Sequence, residues 1–141
     1  MVVIVHMAKM DSLPSPFADI LTDDTITKVG YNVAGDCARI KKFFDVDTHP
    51  STCVLRLAKQ KMPKPDTGRW DLGDVCDSVL GKKMRKDEVL RTSFVADQAT
   101  RLSTDQRQYL AVDCAVPLLL YREFSKAPNI SDSVAHNVQV A

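Results

Sequence analysis

At 141 residues with 45% apolar content, the chain is one domain's worth of globular protein with room for a modest core. Nineteen basic and 18 acidic residues leave a net charge of +1, which argues against a highly basic nucleic-acid coat and against an acidic tail. No apolar run approaches the roughly 20 residues that span a bilayer, and the opening MVVIVHM lacks the basic start and small-residue cleavage site of a secretory leader.

Four cysteines, Cys37, Cys53, Cys76 and Cys114, lie 16, 23 and 38 residues apart without a Cys-x-x-Cys pair. That spacing suggests neither a zinc site nor a small disulfide scaffold. They read as free thiols in a reducing compartment, so the chain is expected to be intracellular, nuclear or cytoplasmic. His6, His49 and His136 show no ligand spacing with one another or with the cysteines.

In chain order, the β-branched run Val2 to Met7 predicts a strand. Two prolines in Asp11–Pro16 predict a turn, Phe17 to Leu21 a short helix closed by Asp23 and Asp24, and Ile26 to Val33 a second strand. A helix then opens at Gly35-Asp36, with Cys37, Ile40, Phe43 and Phe44 inward and Arg39, Lys41 and Lys42 in water. After the loop His49-Pro50-Ser51, CVLRLAKQK reads as a helix with a basic tail. MPKPDTG, from Met62 to Gly68, reads as an exposed connection.

Trp70 is expected to anchor the core or a loop, ahead of a short amphipathic helix, LGDVCDSVL, that Gly81 caps. The basic residues Lys82, Lys83, Arg85 and Lys86 follow, with Arg91 beyond. They either contact phosphates, making binding salt-dependent, or form a solvated face that complements the helix dipole. Thr92 to Arg101 has no clean period and reads as a loop.

Ser103 to Phe124 carries apolar Tyr109, Val112, Val116, Leu119, Leu120 and Phe124 at helical spacing, which predicts a helix with one buried face. Ser103 and Gln106 form a capping box, each side chain satisfying a backbone donor that the first turn leaves unpaired. Ser103 is therefore a cap, not a nucleophile. Tyr109 and Asp113, four residues apart, point the same way from successive turns. A carboxylate there is a metal ligand, a structural hydrogen-bond acceptor or a group at the solvent boundary. Pro117 removes the N–H that would bond the Asp113 carbonyl, so either the helix kinks at Asp113 or an underlying loop accommodates the proline. Residues 126–141 are polar, aperiodic and expected to be poorly ordered.

Three strings in this order, K-V-G-x-x-x-x-G-D ending at Asp36, L-G-K-K-x-x-K-D ending at Asp87 and Y-x-x-x-D ending at Asp113, resemble the 3′-5′ exonuclease domain of the DEDD superfamily, in its tyrosine-bearing, Werner-type branch. The resemblance runs from about Val2 to Phe124. It implies an α/β, ribonuclease-H-like fold with a mixed sheet and flanking helices over residues 1–125, followed by the tail at 126–141. It also implies removal of nucleotides from the 3′ end of DNA or RNA by two-metal hydrolysis, with paired ions roughly 4 Å apart. Magnesium or manganese suits oxygen ligands. By resemblance Asp36 is the second-motif carboxylate, Asp113 the third-motif metal ligand and Tyr109 the phenol that orients the attacking water.

The family's first motif, an Asp-x-Glu on the opening strand, has no counterpart before Asp36, where Asp11 and Asp19 are the only acidic residues ahead of Asp23. The domain is thus expected to lack its first two strands, as a truncated or degenerate member with little metal-dependent turnover and an open sheet edge that a protein partner would cover. Three functions remain open at this point: a metal-dependent exonuclease, a pseudonuclease that binds nucleic acid or protein, and a non-functional remnant.

Overall fold

The computed structural model describes residues 1–7, 10–85, 88–91 and 101–130. Helix α1, Ser15–Thr22, begins behind Pro14 with a second proline in its first turn, where the missing N–H costs nothing because that donor is unpaired anyway. Strand β1, Lys28–Gly30, leads through a tight turn into α2, Ala34–Phe44. Strand β2, Ser51–Cys53, runs straight into α3, Val54–Lys61. Helix α4 spans Leu72–Leu80 and α5 spans Thr104–Lys126. The two strands pair in parallel, Lys28 with Ser51, Val29 with Thr52 and Gly30 with Cys53, and α2 forms the crossover that parallel neighbours require.

The core forms where α5 packs on α3, α4 and β1. Val116, Leu120 and Phe124 of α5 bury against Val54 and Ala58 of α3 and Val75 and Cys76 of α4. Local chemistry sets the helix ends. Ser103 Oγ accepts the Gln106 N–H at 3.1 Å while Gln106 Oε1 accepts the Ser103 N–H at 2.8 Å, completing the capping box. Asp71 caps α4 by accepting the Asp74 N–H at 2.8 Å. Gly81 ends α4 at φ 61°, a left-handed conformation that costs glycine little. Helix α5 continues through the buried Pro117 for nine further residues, to Lys126.

Several expectations change. Val2 to Val5 and His6 are not strand, because the open edges of a two-stranded sheet three residues long take up none of their backbone N–H and C=O groups. Val2, Val3 and Ile4 are exposed. The strand expected over Ile26–Val33 is only Lys28–Gly30, and Ser51–Cys53, expected as loop and helix start, pairs with it. Phe43, expected inward, is 69% exposed, since α2 buries none of its residues and the Lys42 ammonium lies over the Phe43 ring at 5.6 Å. On α5, Val112 and Leu119 are exposed because the contact with α3 and α4 covers only the narrower stripe through Val116, Leu120 and Phe124. Lys126, read as the first residue of the tail, is the last residue of α5. The loop expected from Thr92 lies outside the described residues up to Arg101, as does the tail from 131 onward. All four cysteines are free thiols. Among the described residues no helix is long and apolar enough to cross a membrane.

Adjacent leucines of α5 give a direct check of its orientation, since Leu120 is fully buried and Leu119 is 45% exposed. Leu120→Ala is expected to destabilise by about 2–5 kcal/mol, whereas Leu119→Ala stays within about 1 kcal/mol, in urea unfolding. Ser103→Ala should cost about 1 kcal/mol through loss of the cap.

Candidate functional site

The site begins at the turn between β1 and α2. A Cβ on Gly30 would lie 3.0 Å from the Val33 side chain, and Asn32 takes φ 57°, so the chain reverses within three residues. Tyr31 projects from this turn and Asp36 falls in the first turn of α2, its side chain 68% exposed. The Tyr31 hydroxyl donates to the Trp70 carbonyl at 2.6 Å. Burial, then the nearby Asp71 carboxylate, push the Tyr31 phenol up to about 12.

The α4 end contributes charge. Arg69 Nε lies 3.2 Å from the buried Asp74 carboxylate and 3.7 Å from Asp71, which ties the connection before α4 to the helix N-terminus. Beyond the Gly81 cap the chain carries Lys82, Lys83, Met84 and Arg85. The helical turn at 88–91 pairs Arg91 with Glu88.

Helix α5 supplies the opposite wall. Tyr109 and Asp113, four residues apart, stand on successive turns of the helix and line the same cleft. Burial raises the Asp113 carboxyl above the ordinary carboxylate range, and the neighbouring Tyr109 phenol opposes that rise. Burial also raises Tyr109, with the Asp113 charge adding to it.

These walls enclose a cleft of about 630 Å³ that Tyr31, Asp36, Arg69, Arg85, Arg91, Tyr109 and Asp113 all line. Asp36 thus shares one cavity with Tyr109 and Asp113 although more than seventy residues separate them in the chain. The basic cluster is divided. Arg85 and Arg91 face the cleft, Lys83 lines a separate hollow with Asp74 and Asp77, and Lys82 is exposed away from both. Lys86 lies outside the described residues. Trp70 packs against the core, and its carbonyl, not its ring, serves the site. Tyr31 and Arg69 were missed in the sequence, where one sat inside a longer predicted strand and the other at the edge of an exposed connection. The signal available for Tyr31 was its place directly after Gly30, five residues before Asp36.

A pair of divalent ions needs about six oxygen ligands each. Among the described residues no three His, Cys, Asp or Glu side chains gather where a metal ion would sit. Asp36 and Asp113 do not by themselves fit such a pair, and no metal-dependent step is assigned to them. The cleft can grip an anionic chain with its arginines, present two phenols and hold Asp113 away from bulk water.

The raised Tyr31 phenol has a consequence for stability. The neutral form is favoured in the fold, so its contribution is fully present below the ordinary phenol value of 10.0 and is lost as pH rises toward about 12. Denaturant unfolding should show stability falling between pH 10 and pH 12, and Tyr31→Phe should remove its share of that fall.

Comparison with known proteins places this geometry in a family. The profile of the 3′-5′ exonuclease family matches residues 1–127. The mouse (Mus musculus) bifunctional 3′-5′ exonuclease/ATP-dependent helicase WRN is 28% identical over 128 residues, covering 91% of this chain and 9% of that protein. Brucella melitensis NrnC bound to pGG superposes with a TM-score of 0.69 at 22% identity, covering 85% of this chain and 54% of that one, and it shares the fold. The chain therefore spans about half the length of NrnC and a small part of the mouse protein. A match that takes in every element and every cleft residue described above makes this chain a member of the 3′-5′ exonuclease family, with the ribonuclease-H-like α/β fold of the DEDD superfamily.

Proposed function

We propose that this chain is a 3′-5′ exonuclease-type domain that takes the 3′ end of a DNA or RNA strand into the cleft, and that its own residues bind this end without hydrolysing it. The observation that carries the reading is the common cleft of Asp36, Tyr109 and Asp113 with Arg85 and Arg91. Arginine forks suit phosphate oxygens in geometry as well as charge. Glu88 holds Arg91 at the rim, so a phosphate arriving there would share or replace that carboxylate.

Within the family reading, Asp36 and Asp113 are the carboxylates that would ligate magnesium or manganese, and Tyr109 would orient the attacking water. The lack of a third donor among the described residues favours binding without turnover. That is the pseudonuclease reading, and it differs from the enzyme reading only in whether another polypeptide segment supplies the remaining carboxylates. A protein partner bearing on the open edges of the two-stranded sheet is part of the same proposal. The four free thiols support an intracellular, nuclear or cytoplasmic setting.

Binding of a labelled single strand by the 141-residue chain is expected to weaken as salt rises. Replacing Arg85 and Arg91 together with glutamine should flatten the log–log salt dependence by roughly 1.4, about 0.7 per phosphate contact on a single strand. Replacing Lys82 and Lys83 should change it less. With magnesium or manganese present the strand should stay intact. A 3′-to-5′ ladder that disappears in Asp113→Asn would contradict the non-hydrolytic part and show that other groups complete the site.

A further inference from the structure

Asp36, Arg39, Ile40, Phe43 and Phe44 recur at helical spacing along one face of α2, and with Met7 and Met10 they line a groove of about 580 Å³. No residue of α2 is buried, and Phe43 is 69% exposed. At one end Asp36 and Arg39 pair with each other at 3.9 Å, so the rest of the lining is uncharged and apolar. Such a groove suits an apolar segment and not a phosphate backbone.

The chain carries a segment of that kind directly beside the groove. Val2, Val3 and Ile4 are exposed and Val5 is half-buried, and the run lies in no strand and holds no charged side chain. From Asp36 to Phe44 the helix rises about 12 Å, and four extended residues span about 14 Å. Run and groove thus match in length as well as in chemistry. The run is nevertheless kept out of the groove of its own chain. Met7 belongs to the groove wall and only His6 separates it from Val5, whereas a reversal of the chain takes about four residues.

We propose that two copies of this chain associate by exchanging this run, with Val2–Val5 of each copy lying in the α2 groove of the other. The exchange is reciprocal, so it closes as a two-fold pair and not as an open filament. A net charge of +1 sets little repulsion between the copies. Asp36 lines both the groove and the cleft, which places the second copy against the outer side of the cleft wall. This surface is distinct from the sheet edges, and the pairing stands whether or not the cleft receives nucleic acid.

Analytical ultracentrifugation of the 141-residue chain, without nucleic acid, tests the pairing. The unaltered chain is expected to pass from monomer to dimer as its concentration rises over about 1–100 μM. Val3→Glu in the run and Phe43→Lys in the groove each put a charge at an exposed position, and each should weaken self-association about thirtyfold or more with the circular dichroism unchanged. Leu119→Lys, at an exposed apolar position of α5, leaves the dimer as it was. Mixed in equal amounts, the Val3→Glu and Phe43→Lys chains regain a dimer, because one run and one groove are unaltered and the other contact sets Glu against Lys. An unaltered chain that stays monomeric over this range would overturn the proposal and leave the groove to a different polypeptide. A dimer that neither substitution weakens, one that Leu119→Lys weakens equally, or a mixture of the two variants that stays monomeric overturns it as well. Strand binding, measured on the same samples, bears on the cleft and not on this pairing.

Discussion

The burial of Val116, Leu120 and Phe124 of α5 against Val54 and Ala58 of α3 and Val75 and Cys76 of α4 is the constraint on which the rest depends. The two-stranded sheet is too small to organise a domain, so α5 takes the central place and packs on α3, α4 and β1 together. The upper turns of the same helix carry Tyr109 and Asp113, which stand over the cleft because the lower turns are held in the core. Pro117 lies between the two halves, buried and within an unbroken helix. Having no N–H, it gives none to the Asp113 carbonyl one turn above. Packing thus carries the helix past a residue that local propensity would use to end it.

Charge in the cleft is balanced rather than one-sided. Arg69, Arg85 and Arg91 line it together with Asp36, Asp71, Glu88 and Asp113. Several of these groups already hold one another, as Arg69 does with Asp71 and Asp74 and Arg91 with Glu88. Such pairs set side-chain positions more than they add stability, because at the surface solvent screens most of their attraction. On the proposed reading, a strand entering the cleft would exchange some of these internal pairs for phosphate contacts, so that binding would be reversible and sensitive to salt.

The helices were legible in the sequence because their determinants are local. The Ser103–Gln106 box and the Gly81 cap fall where spacing put them, and α4 has the bounds its pattern predicted. The strands were less legible because β-propensity describes a side chain's fit to a sheet, not the presence of a neighbour. Val2 to His6 have the composition without the neighbour, while Ser51–Cys53 have the neighbour in a segment too short to show a pattern. Phe43 looked buried because its helix has an apolar side, yet among the described residues no element covers that side at Phe43. For the site, Tyr109 and Asp113 could be paired by helical spacing alone, and Asp36 joined them only through the family resemblance. Tyr31 and Arg69 could not be found this way, since their positions follow from a tight turn and from ion pairs to Asp71 and Asp74 that exist only in the folded chain.

The central claim is that a nucleic-acid strand is received in the cleft between the β1–α2 turn and α5. Nuclear magnetic resonance shift mapping of the isotopically labelled chain, titrated with a short single strand in chelator, tests it most directly. The account predicts that the shifts concentrate on Tyr31, Asp36, Arg69, Arg85, Arg91, Tyr109 and Asp113 and saturate together. Shifts that concentrate instead on the apolar groove of Met7, Met10, Ile40 and Phe43, or on Lys82 and Lys83 with the cleft residues unmoved, would contradict it.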